Sequence, residues 1–122
     1  MAYDNDKIKE LDQEAHDLSD ELIGLSAVLD EAREDLKERF EKLNDEFASR
    51  ETKPQDEEML PKIDPFNKEM ERIRDGHRDI LNLLRTISAA YDRGAKSLDE
   101  TIHDPKFKQR MDKVRNFVKT YR

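Results

Sequence analysis

Between Ile8 and Leu36 the apolar residues fall at Ile8, Leu11, Ala15, Leu18, Leu22, Leu25, Leu29, Ala32 and Leu36. The steps alternate between three and four. This is a heptad seam, one apolar stripe along a long helix that must find partner helices. The intervening positions are mostly Asp, Glu, Lys, Arg, Ser and Gln, which favour water. After Leu36 the spacing runs through Phe40, Leu43 and Phe47 in steps of 4-3-4. Two successive fours make a stutter, which locally unwinds a left-handed supercoil. The stripe broadens at Ile23, Ala27 and Val28, where contact with more than one neighbour is expected. Gly24 lies in this stretch. Close approach of another backbone and simple drift are its two explanations, since glycine costs about 1 kcal/mol in a helix interior.

The pattern predicts a first helix over about 5–50, capped near Asp4 or Asp6. Residues 51–64 hold Pro54 and Pro61 and read as a connection. Asp64 followed by Pro65 then has the form of an N-cap and first helical position. A second seam runs through Phe66, Met70, Ile73, His77, Ile80, Leu84, Ile87, Tyr91, Gly94 and Leu98, again in steps of four and three. It predicts a second helix over about 65–99, widened by Leu81, Leu83 and Ala90. Asp75-Gly76 is a turn-like pair, but the phase survives across it, so one helix with a weak point is expected there. Asp104-Pro105 repeats the start signal. Phe107, Met111, Val114, Val118 and Tyr121 predict a short third helix over about 105–121.

Short connections favour antiparallel neighbours. The expected fold is all-α and forms a single domain. It is a long antiparallel, coiled-coil-like helical hairpin, with the short third helix completing a three-helix bundle at one end. Pairing about the middle of 51–64 brings Phe66 to Phe47, Leu84 to Glu31 and Leu98 to Asp17. It leaves a two-helix stretch at the other end. There Leu36, Phe40, Leu43, Phe47, Phe66, Met70 and Ile73 are expected to form an uncovered strip and to bind a partner.

Composition supports this arrangement. Apolar residues make up 34% and charged residues 43% of the 122 positions, too polar for a thick core but enough for narrow seams between helices. Net charge is −7 and unevenly spread. Residues 1–60 carry 8 Lys and Arg against 20 Asp and Glu; residues 61–122 carry 15 against 10. The final stretch holds Lys106, Lys108, Arg110, Lys113, Arg115, Lys119 and Arg122 with one acid, Asp112. The basic third helix is expected to dock beside the acidic start of the first. There it would set register and partner choice more than stability, because exposed pairs contribute only about 0–1 kcal/mol each.

Candidate chemistry is sparse. There is no cysteine, so disulfides and thiolate metal sites are excluded. Glu100-Thr101-Ile102-His103 has the Glu-x-x-His spacing of carboxylate di-iron bundles. Those need two copies plus two more inward glutamates, so no metal and no cofactor are expected. His16, on an acidic face, reads as solvated. His77 replaces a hydrophobe in the seam, where it can fix register or sense pH; Glu38 or Glu41 would be its acidic neighbours in the expected register. Without a Gly-rich phosphate loop or a nucleophile–base grouping, no enzyme activity is expected, and the acidic balance of the chain argues against nucleic acid as a partner. The start, Met1-Ala2-Tyr3-Asp4-Asn5-Asp6, has neither a basic cluster nor an apolar run. No membrane association is expected, and the cytoplasm is the expected location, with export lacking a cleavable signal left open.

The expected function is a non-enzymatic protein–protein interaction module, an adaptor, structural or assembly subunit. It would bury an apolar seam against a helical partner or a second copy as a homodimer. The alternative is a small secretion-associated helical protein, either a type VII-like substrate partner or an export chaperone. Type VII hairpins usually carry Trp-x-Gly at the bend, and this chain has no Trp.

Overall fold

The structure is a computed structural model, and it describes residues 3–49 and 56–122, with side chains from residue 58 onward in the second stretch. The described residues form a helical bundle of four helices: α1 (Asn5–Ala48), α2 (Asp56–Arg93), α3 (Ala95–Ile102) and α4 (Pro105–Lys119). Helix α1 begins where the sequence places a cap. The Asp4 carboxylate accepts the Lys7 backbone N–H at 2.7 Å, satisfying one of the open donors of the first turn. With 44 residues, α1 is about 66 Å long at 1.5 Å per residue.

Helix α2 differs from the expectation at both ends. It starts at Asp56 rather than after Asp64, so both Pro61 and Pro65 lie inside it. Proline in a helix interior costs about 3 kcal/mol, and packing offsets this cost. Met59 and Ile63 continue the Phe66–Met70–Ile73 seam backward in the same phase, and both are half-buried. The Lys62 ammonium lies 5.5 Å from the centre of the Phe47 ring, a cation–π contact. Pro65 is therefore an interior residue here, not the helix start.

The other end of α2 breaks at Gly94, not at Asp99. Gly94 has φ 112° and ψ 178°, a region that side-chain-bearing residues rarely enter. Gly76, by contrast, leaves the helix continuous, as its phase predicts. Helix α4 starts as the Asp104-Pro105 signal indicates. The Asp104 side chain accepts the Lys106 N–H at 3.0 Å, and Pro105 fills the first turn.

Cross-helix pairs fix the register. Lys62 meets Phe47. Phe40 and Phe66 stack edge-to-face with centroids 5.7 Å apart. His77 meets Ser26 and Asp30. Tyr91 lies beside Asp12. These pairs run in opposite chain directions and turn about the short link between Ser49 and Asp56. The expected Phe66–Phe47, Leu84–Glu31 and Leu98–Asp17 alignment is thus displaced by about two to three turns, because the early start of α2 shortens the connection.

Helix α4 runs with α1 and against α2. Arg115 meets Glu21, Lys113 faces Asp79 at 3.9 Å, and Tyr121 donates to Glu69. Leu11, Leu22 and Leu29 of α1, Ile73, Ile80 and Leu83 of α2, and Met111, Val114 and Val118 of α4 form the most deeply buried set. They belong to one continuous apolar core. Burial of each such side chain stabilises the fold by about 1.5–3 kcal/mol.

Candidate interaction surface

Each long helix carries apolar residues on both sides of its seam, and α4 covers only one side. On α2, Leu83 and Ala90 are buried, and Gly76 admits α4. A Cβ at Gly76 would lie 2.5 Å from Phe117 Cε2 and 3.1 Å from Leu29 Cδ1, so the missing side chain is the notch that receives the Phe117 ring. On α1, the half-buried Val28 faces the end of α4, in a groove shared with Thr120 and Tyr121.

The opposite side lies open. Ile23 of α1 is 58% exposed, Leu81 of α2 45% and Tyr91 51%. Ala27 is also exposed. Ile23 shares a helix face with Ser19, Ser26 and Asp30, at spacings of −4, +3 and +7. Leu81 shares a face with His77, Leu84 and Ser88 by the same spacings. Two grooves run between these faces. One, of about 480 Å³, is lined by Ala15, His16, Ser19, Leu84, Ser88 and Tyr91. The other, of about 590 Å³, is lined by Asp30, Arg33, Met70, Ile73, Arg74 and His77. In the observed register Ile23 and Leu81 sit opposite each other, between the two grooves. The result is one continuous α1/α2 face with an apolar centre and charged edges.

The seven seam residues expected to bind a partner are placed differently from a bare strip. Leu36, Phe47 and Ile73 are buried, while Phe40, Leu43, Phe66 and Met70 are half-buried. Two features of the fold cover them. The extension of α2 to Asp56 lays Met59, Lys62 and Ile63 along the end of α1. Tyr121, just past the end of α4, donates to Glu69 and walls a groove with Leu36 and Phe66.

His77 is half-buried at the edge of the larger groove. Its Nδ1 lies 3.3 Å from Ser26 Oγ, and its Nε2 lies 3.1 Å from Asp30 Oδ1 without hydrogen-bond alignment. Glu38 and Glu41 are not its neighbours, because of the register displacement.

Charge fixes α4 in place. Arg115 donates from Nε to Glu21 Oε2 at 2.5 Å and from Nη2 to Oε1 at 2.7 Å, a bidentate pair of the kind that gives orientation as well as attraction. A further bond from Nη1 reaches Asp112 at 3.1 Å. The Arg115 hydrogen bonds hold the Glu21 carboxyl below its ordinary pKa against the opposing effect of burial.

The fold also places a polar clasp where α3 meets α1. Tyr3 donates to Asp99 at 3.0 Å, while His103 faces Asp99 through Nδ1 and Glu14 through Nε2, both at 2.8 Å. Hydrogen bonds from Tyr3, then His103, lower the Asp99 pKa. The two carboxylates sit on opposite ring nitrogens and so do not converge on one point. Glu100, of the Glu-x-x-His motif, is exposed outside the clasp. No cluster among the described residues has the form of a metal site. His16 is exposed, with Nδ1 3.1 Å from the Asp12 carbonyl. No described helix is long and apolar enough to cross a membrane.

Comparison with known families, with curated proteins and with solved structures gives no match, so the functional reading stands on the chain's own geometry.

Proposed function

We propose that the protein is a helical protein–protein interaction module that docks through the α1/α2 face opposite α4. The observation that supports this is the open flank of both seams. Ile23, Ala27 and Leu81 repeat on that flank the apolar widening that α4 buries on the other. Single exposed hydrophobes are ordinary. Two at the same level of one open face, between two grooves and ringed by charge, resemble the apolar centre and polar rim of an interaction site. An incoming helix would lie along the α1/α2 groove and complete a four-helix arrangement, the common way to cover such a seam.

The test is site-specific crosslinking in the cells that make the protein. A photoreactive side chain at residue 23 or 81 is expected to yield discrete adducts, whereas one at the exposed Glu100 is not. Absence of adducts at 23 and 81, or equal adducts at all three positions, contradicts the reading.

A further inference from the structure

We infer that the occupant of the α1/α2 face is a second copy of this chain, related by a twofold axis parallel to the helices. The inference rests on the docking face proposed above and adds the partner and its orientation. The charged edges of that face carry the argument. On the α1 edge stand Asp20 and Asp30, followed by Arg33; on the α2 edge stand Arg74 and Arg85, preceded by Glu71, all exposed. Among the described residues Arg74, Arg85 and Asp20 have no ion-pair partner. Asp30 meets only the edge of His77.

Two closed symmetries can place such a face against its copy. An axis lying in the interface across the helices puts α1 over α1, acid against acid. An axis parallel to the helices puts α1 of each copy over α2 of the other. The observed register then sets Ile23 against Leu81 of the second copy, Asp30 against its Arg74, and Asp20 against its Arg85. Like charges opposed at an interface are strongly disfavoured and opposite ones fix register, so the second arrangement is selected.

The test uses the full chain, which has no native cysteine. Sedimentation across a wide concentration range is expected to show a monomer–dimer equilibrium. Ile23→Lys is expected to hold the protein at monomer mass with an unchanged circular dichroism spectrum; Asp30→Arg is expected to weaken the dimer. Under mild oxidation, a mixture of Ile23→Cys and Leu81→Cys chains is expected to form the crossed disulfide faster than either chain alone forms its own. A strict monomer at all concentrations overturns the inference, as does a dimer that survives Ile23→Lys. If the Ile23→Cys chain crosslinks to itself faster than to the Leu81→Cys chain, the symmetry is overturned. A strict monomer whose residue 23 still crosslinks to another protein in cells overturns the self-association alone and leaves the docking face in place.

Discussion

Arg115 of α4 holds Glu21 of α1 through two parallel hydrogen bonds, 94 positions apart in the chain. This pair joins the most basic stretch of the sequence to the most acidic one and sets how far α4 slides along α1. Glu21 has its pKa lowered in the fold. The pair's contribution is therefore present above the ordinary carboxyl value of about 4.5 and is lost as pH falls through and below it. Because both side chains are more than a third exposed, solvent screening limits the contribution to about 1 kcal/mol. Urea unfolding of Arg115→Gln should show that loss at pH 7. The gap from the unaltered chain should be smaller at pH 3. An unchanged gap at both pH values would remove the ion pair from the account.

The glycines of the two long helices predict opposite outcomes. A Cβ at Gly24 meets nothing within 4 Å, so drift explains this glycine and close approach does not. Gly24→Ala should stabilise the fold by up to about 1 kcal/mol. Gly76→Ala gains the same helix propensity but drives a methyl into Phe117 and Leu29. Overpacking costs about 1–3 kcal/mol, so the net effect should be a loss of about 1 kcal/mol. Thermal melts of the two variants should move in opposite directions; stabilisation by both would show that α4 does not seat in the Gly76 notch.

Gly94 tests the break between α2 and α3. There is space for a side chain, so any cost of Gly94→Ala comes from its positive φ. The expected loss is about 1–2 kcal/mol. A neutral substitution would mean that α2 runs on through residue 94, as the heptad phase alone implies.

The three tyrosines report on the packing of both chain ends, and no tryptophan obscures them. Tyr3 is raised by its bond to Asp99 and Tyr91 by Asp12. Tyr121 is pushed up to about 12, first by burial and then by its bond to Glu69. A folded-state pKa above the unfolded value of about 10 gives stability that is complete below pH 10 and fades as pH rises toward 12. Absorbance titration should therefore show delayed ionisation in all three, with Tyr121 last. Tyr121→Phe should remove that last step and cost about 1 kcal/mol at neutral pH. A single step at the ordinary tyrosine value, with the helical signal intact, would place Tyr121 in solvent.

Much of the fold was legible because periodicity is a local property. Leu11, Ala15, Leu22, Leu25, Leu29 and Leu36 are buried as the seam requires, although Ile8, in the same phase, is exposed near the start of α1. Asp104-Pro105 marked its helix correctly. Asp64-Pro65 did not, because the signal is only a local preference and the in-phase Met59 and Ile63 outweigh it. The register displacement follows from that one difference, since the link length sets the alignment. The candidate surface was less legible. The broadening at Ile23, Ala27, Val28, Leu81 and Leu83 could be read from the sequence, but which side of each seam α4 would cover could not. That choice depends on where Gly76 admits Phe117 and where Arg115 finds Glu21, both of them long-range pairings.

The most direct measurement is carbene footprinting of side chains in dilute purified protein and in the assembled form isolated from cells. Ile23 and Leu81 should label strongly when dilute and become protected on assembly, with Leu22 and Leu83 unlabelled in both. Protection confined instead to Phe40, Phe66 and Met70, with Ile23 and Leu81 labelled throughout, would contradict the account and move the docking site to the far end of the long helices.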